Sequence, residues 1–221
     1  MNLENAQPER KPRIVILISG SGSNMAALAD AVRAGQIDCD IAAVMSNKAE
    51  VAGLTKAQDR DIPTRVLSHK DYASREAYDA ALIQQIDSLD CDLIVLAGFM
   101  RVLSPSFVQH YADRILNIHP SLLPKYQGLH THERVLEAGD SEHGVTVHFV
   151  NEILDDGANV IQAVVPVLAE DTATSLQQKV HVQEHVIYPI AVKWFVEGRL
   201  KYRDSKAWLD GKALPATGLR L

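Results

Sequence analysis

The chain has 221 residues, 47% of them hydrophobic and 23% charged, with a formal net charge of −6. That length suits one domain with a sizeable core, and an acidic chain without a basic block disfavours duplex DNA and anionic membrane as partners, while leaving room for a small anion held by a local cradle. No apolar run approaches the length of a membrane span, and Cys39 and Cys91 read as reduced cytosolic thiols rather than a disulfide framework.

The opening "MNLENAQPERKPR" is polar and has no apolar signal core. Residues 1–12 are expected to be a flexible leader before a single domain spanning 13–221. "RIVILIS" (13–19) is a continuous β-branched run, the pattern of a strand covered on both faces. A helix follows over "SNMAALADAVRAG", with Gly35 as its C′ residue. The alternation continues with a strand over 39–47, a helix over "AGLTKAQDRD" and a short strand over "PTRVLS". The helix 74–89 then places Tyr78, Leu82, Ile86 and Leu89 on one side. A strand over 91–99, a short helix "SPSFVQHY" opened by Pro105 and a fifth strand "RILNIH" complete the series.

Five such alternations predict an α/β fold, a Rossmann-like open and mostly parallel sheet with helices on both faces. The rhythm then changes. "HGVTVHFVNE" (143–152) and "NVIQAVVPVL" (159–168) read as late antiparallel strands joined through "ILDDGA". A long helical pattern runs from about Thr172 to Glu197, with Pro189 expected to kink it. The tail is expected to add a small hairpin.

Two places on this frame carry chemistry. "ISGSGSNMAAL" (18–28) lies between the first strand and first helix, where a doubly wound fold aims backbone N–H groups at an anion. Gly20 and Gly22 permit a tight turn and close approach, and Ser23 or Asn24 could cap the helix. Met25 stands in place of a third fingerprint glycine, and the second strand ends "MSN" without a ribose-binding acid. No Gly-Lys-Ser/Thr follows either. The turn therefore reads as a single-phosphate cradle, or as a plain βα turn with no ligand. The second place is "ILNIHPSLLPKYQG" (115–128), where Asn117 and His119 share one strand face at the carboxyl edge of the sheet. An amide and a protonated imidazole can both donate to a developing oxyanion, as acyl transfer requires. No serine–histidine elbow accompanies them, so direct attack by a substrate amine is more natural than a covalent intermediate. The plainer alternative is a pair of satisfied polar groups at a strand end. Asp155, in "EILDDGAN", is the candidate partner that would favour the charged imidazole and move a proton. Asp-Asp-Gly is also ordinary turn chemistry, and spacing alone does not bring it to His119. His119, His130 and His132 lack the carboxylate spacing of a metal set, so no metal is expected; His132 is expected to bond within its own loop.

The stretches "ISGSGSN", "LAGFMRVLSP", "LNIHPSLLPKYQGLHTHERVLEAGDSEHGVTVHFV" and "LDDG" resemble the folate-dependent formyltransferases, and among them the phosphoribosylglycinamide formyltransferase family, over residues 13–212. The short length and lack of an added regulatory or RNA-binding domain favour that member. The resemblance implies the formyltransferase fold and Asn117, His119 and Asp155 as the catalytic trio. It implies 10-formyltetrahydrofolate as co-substrate and glycinamide ribonucleotide as acceptor in purine biosynthesis. The ribonucleotide maps to Gly22, Ser23, Asn24 and Glu184, the last aimed inward by the kink at Pro189. Folate maps to Met100, Arg101, Val102 and Leu103, with Val150 and Asn151 opposite and Arg75 and Arg101 on its glutamate carboxylates. His181 replaces a glutamine found in some members, and Gln127 a frequent proline. A cytoplasmic monomer or weak homodimer, with neither nucleic acid nor membrane as partner, is expected. Two alternatives stand beside this reading: a 10-formyltetrahydrofolate hydrolase, which needs the trio but no phosphate cradle, and a non-catalytic Rossmann-type nucleotide-binding module, which needs the turn but not the trio.

Overall fold

The computed structural model describes residues 10–221. Residues 1–9 of the expected leader lie outside the described residues. Residues 10 and 12 of that leader are held against the domain: Arg10 pairs with Asp92, and the Pro12 carbonyl accepts from the Asp40 N–H at 2.9 Å.

Eleven strands and six α-helices are described. In chain order they are β1 (Arg13–Ile18), α1 (Ser23–Arg33), β2 (Asp40–Ser46), α2 (Ala52–Gln58), β3 (Thr64–Val66), α3 (Arg75–Asp87), β4 (Leu93–Leu96), α4 (Pro105–His110) and β5 (Ile115–His119). There follow α5 (Thr131–Ala138), β6 (Glu142–Phe149), β7 (Asn159–Pro166), α6 (Ala173–Val196), β8 (Leu200–Arg203), β9 (Lys206–Leu209), β10 (Lys212–Ala213) and β11 (Leu219–Arg220). The main sheet has the order β11-β7-β6-β5-β4-β1-β2-β3. Strands β1 to β5 are parallel, β6 and β7 antiparallel as expected. The tail exceeds the expected hairpin: β8, β9 and β10 form a second antiparallel sheet, and β11 returns to pair with β7 in parallel.

The period of two along β1 divides the core. Ile14, Ile16 and Ile18 face Met25 and Leu28 of α1, Leu54 of α2, and Ile187 and Tyr188 of α6. Val15 and Leu17 face Tyr78, Leu82 and Ile86 of α3 and Phe107 of α4. The chain leaves β1 toward the first layer and β4 toward the second. The crevice between these neighbouring strand ends is the topological switch point, where open α/β sheets bind ligands.

The helix α6 continues through Pro189 as one element instead of being divided there. Glu184 reaches inward because it shares the buried face with Val180, Ile187 and Ala191. The Tyr188 hydroxyl lies 2.9 and 3.0 Å from the Leu96 and Leu116 carbonyl oxygens. It therefore ties α6 to the ends of β4 and β5, one residue before Asn117.

Candidate active site

Asn117 and His119 project from the end of β5, and the antiparallel register sets His148 of β6 opposite Asn117 and Thr146 opposite His119. His119 is buried, with 6% of its surface exposed. Its Nε2 lies 2.9 Å from the Tyr126 carbonyl, an oxygen that can only accept, so this nitrogen donates. Its Nδ1 faces the Asp155 carboxylate at 3.3 Å.

Asp155 arrives through a loop that folds back after β6. The residue adopts φ 52°, in the left-handed region. Gly157 packs against the strand so closely that a Cβ there would fall 1.7 Å from the Phe149 carbonyl oxygen. Only glycine fits that approach, which is why Asp-Asp-Gly here is more than turn chemistry. The carboxylate is fixed from behind by the Gly128 N–H at 2.9 Å, and Gln127 donates to the Asp155 carbonyl at 3.0 Å. Gln127, where a proline is frequent in the family resembled, thus braces the loop by a hydrogen bond.

His148 was not among the residues singled out from sequence. Burial holds it well below the usual histidine range, so it is neutral. Its Nδ1 donates to the Phe149 carbonyl at 2.8 Å, which leaves Nε2 as an acceptor. The Asn117 side-chain nitrogen donates to that Nε2 at 3.1 Å, and Asp155 lies 3.8 Å from the same nitrogen. The neutral ring thereby sets which end of the Asn117 amide is which. Asn117 and His148 thus form one bonded pair and His119 and Asp155 another, and the two pairs lie side by side where Asp155 approaches His148.

The other histidines do not join it. His132 bonds across to β6, 2.9 Å from His143 Nε2, rather than within its own loop. Burial lowers both, His143 to about 4. His130 is exposed and faces Glu133. Among the described residues, no three His, Cys, Asp or Glu side chains converge as metal ligands do.

The turn after β1 behaves differently from its capping expectation. Gly22, at φ 66°, is the N-cap of α1, and no side chain caps that end. Ser23 is already the first helical residue, and the Asn24 amide donates away, to Glu184 at 2.8 Å. The first turn carries no acidic residue, and uncapped N–H groups favour an anion. A Cβ on Gly22 would meet the Gly53 Cα at 2.5 Å, so α2 clamps the turn from below. Lys56, also overlooked in the sequence, donates to the Ser21 carbonyl at 2.9 Å and brings a cation to the same place.

Glu184 is 9% exposed. Burial alone would raise its pKa, but hydrogen bonds from His181 and Asn24 outweigh this and hold it below the usual range. His181 lies 3.0 Å from it and is raised in turn by that bond. The Asn24 side-chain oxygen and His185 Nε2 are buried without partners.

The residues mapped to folate lie on the second core layer. Phe99, Leu103 and Val150 all pack on it, which brings 99–103 and 150–151 together. Met100 and Val102 are exposed; Leu103 is buried and so supports the loop more than it lines a surface. Asn151 turns its oxygen to the Ile153 N–H. The Arg101 guanidinium lies 4.8 Å above the Tyr78 ring, and its buried Nε has no partner. Arg75, one turn before Tyr78 on α3, is exposed and pairs with Glu76.

The family described as formyl transferase matches residues 12–192. The chain belongs to the formyltransferase family. It is 54% identical over 205 residues to phosphoribosylglycinamide formyltransferase of Escherichia coli, covering 93% of this chain and 97% of that one. It is 52% identical over 192 residues to the trifunctional purine biosynthetic protein adenosine-3 of Drosophila melanogaster, covering 86% of this chain and 14% of that longer protein. The solved structure of a phosphoribosylglycinamide formyltransferase from Coxiella burnetii superposes with a TM-score of 0.92 at 47% identity, covering 96% of this formyltransferase and all of that chain. The mostly parallel sheet and its flanking helices are those of that structure.

Proposed function

We propose that this formyltransferase moves the formyl group of 10-formyltetrahydrofolate to the amine of glycinamide ribonucleotide, a step of purine biosynthesis. The single observation that supports it best is the His119–Asp155 pair beside the Asn117–His148 bond, which holds two donors at one strand end with a carboxylate behind them. The amine nitrogen attacks the formyl carbon, and the carbonyl π pair moves onto oxygen. Asn117 keeps a second amide N–H beyond the one given to His148, and this donates to the forming oxyanion. The His119 Nε2–H is held by the Tyr126 carbonyl in the absence of substrate and exchanges that acceptor for the more negative oxygen. Donors placed for the oxyanion are worth roughly 10²–10³ in rate each. As the intermediate collapses, the carbon–nitrogen bond to folate breaks and its pair stays on N10. The attacking amine gives up a proton and N10 gains one, with Asp155 the nearest base to mediate that transfer.

On this reading the phosphate sits on the amides of Gly22, Ser23 and Asn24, and the ribose hydroxyls reach Glu184 and the free Asn24 oxygen. Met100, Arg101, Val102, Leu103, Val150 and Asn151 hold folate, with Arg75 and Arg101 on its glutamate carboxylates. The enzyme needs no metal for this chemistry and acts in the cytoplasm as a monomer or weak homodimer, without nucleic acid or membrane. No described helix is long and apolar enough to cross a membrane.

The test is direct. Purified protein is mixed with both substrates and no added metal, and tetrahydrofolate formation is followed. Product that appears only when the ribonucleotide is present supports the proposal. Formate release at the same rate without ribonucleotide would instead make the protein a hydrolase, and ligand binding with no turnover would make it a binding module.

A further inference from the structure

The ladder between β1 and β4 does not stop where the strands end. The Ala97 N–H donates to the Leu17 carbonyl at 2.9 Å, and the Ser19 N–H to the Gly98 carbonyl at 3.1 Å. The chain then turns away at Gly20. The Ser19 hydroxyl supplies the acceptor that another strand carbonyl would have supplied, and takes the Met100 N–H at 2.8 Å. That hydroxyl donates its own proton to Asn47 Oδ1 at 2.6 Å. Asn47, just past the end of β2, passes its amide nitrogen on to His69 Nδ1 at 3.2 Å. Ser19 and Asn47 are 5% and 3% exposed, so the loss of one bond cannot be made good by bulk water.

The position of this relay is what gives it a use. Ser19 directly precedes the glycine-rich turn that cradles the anion, and Met100 opens the loop mapped to folate. One side chain therefore grips both loops. Its Oγ accepts from the folate loop, and its backbone begins the phosphate turn. The turn itself packs on Gly53 and is held by Lys56, so Ser19 ties the folate loop to a firmly placed element.

Resting on the formyltransferase reading, we propose that Ser19, oriented by Asn47, is a positioning residue that couples the two substrate sites, so that a ribonucleotide on the turn tightens the folate loop at Met100. Coupling of this kind is reciprocal: each substrate tightens the other by the same factor.

The experiment measures the dissociation constant of tetrahydrofolate with and without saturating glycinamide ribonucleotide, a pair that binds without turnover. In the wild-type enzyme the ratio of the two constants is expected to be about 5 or more. In Ser19→Ala the ratio falls to about 1. A core truncation away from the relay, Val15→Ala, costs stability but keeps the wild-type ratio. An unchanged ratio in Ser19→Ala, a ratio of 1 in the wild type, or loss of the ratio in Val15→Ala would each overturn the coupling role. If Ser19→Ala does not fold, Asn47→Ala is measured in its place and decided by the same ratio. Failure of the wild-type protein to bind either compound would instead overturn the formyltransferase reading itself, so the two failures are distinct.

Discussion

The end of β5 and the turn after β1 lie on the same edge of one sheet, yet their polar groups are managed in opposite ways. Around His119 the polar groups are mostly bonded within the protein: Nε2 donates to Tyr126, Nδ1 faces Asp155, Asn117 gives one amide N–H to His148, and Asp155 accepts from the Gly128 N–H. Around Gly22 the bonds are left open: α1 has no side-chain cap, and the buried Asn24 oxygen has no partner. A polar group left wanting in a folded protein costs stability unless a ligand repays it. The open region is thus suited to hold a substrate, and the closed one to keep reacting groups in place between turnovers. Substitutions in the two regions should separate kcat from KM.

The largest effect is expected in the closed region. On the proposed mechanism, His119→Ala removes a donor to the oxyanion, and Asp155→Ala removes the group that orients His119 and takes part in the proton transfer. Each should lower kcat by roughly 10²–10⁴. Dissociation constants for both substrates should stay within about threefold. Steady-state kinetics beside equilibrium binding on the same preparations checks this. Near-normal kcat in either variant would break the contrast between the regions, since satisfied bonding would then be merely structural.

The two regions were also unequally legible in the sequence. The alternation of apolar runs placed β1 to β7, α1 to α4 and α6, because those signals are local. A period of two put Asn117 and His119 on one face at the carboxyl end of the fifth strand, as found. The meeting of Asp155 with His119 was not legible, because it depends on a nine-residue loop folding back and on Gly157 lying against a carbonyl. The part played by His148 was missed for want of one step. Once β6 is taken as antiparallel to β5, the alternation in "VTVHF" points Thr146 and His148 to the same face as the pair. The capping expectation for Ser23 and Asn24 failed because Gly22 takes the N-cap position itself and starts the helix at Ser23, earlier than a cap by Ser23 or Asn24 would. The strand β11 is two residues long and has no periodicity to detect; it exists because Gln162 offers its carbonyl to the Leu221 N–H.

The open region should respond in KM. Gly22→Ala asks an L-residue to hold φ 66° and places a methyl 2.5 Å from the Gly53 Cα. The left-handed conformation alone costs about 1–2 kcal/mol, and the contact forces α2 away from the turn. The ribonucleotide KM should rise by about 10-fold or more, the thermal midpoint should fall, and the folate KM should move less. Equal rises in both KM values would mean that the turn is a structural hinge for the whole rim and not a cradle for one substrate.

The smallest effect concerns protons, and it sharpens the boundary between the regions. His181 borders the cradle and bonds Glu184, which raises its pKa above the ordinary 6.5. The neighbouring His185, by contrast, is lowered by burial. A raised pKa fixes the sign. The bond from charged His181 is fully present below the unfolded-state value and is lost as pH rises through the folded one. Because His181 is 43% exposed, the accompanying change in stability is largely screened by water. On the proposed binding mode, the effect should surface in binding, where charged His181 would favour the phosphate and hold Glu184 for the ribose. The ribonucleotide KM should therefore climb by about two- to fivefold as pH passes from slightly acid to above the His181 titration, with the folate KM flat. His181→Gln, which keeps a donor to Glu184 but cannot titrate, should flatten that rise. If the rise persists in His181→Gln, the proton belongs to another group, and His181 does not set the pH response of the open region.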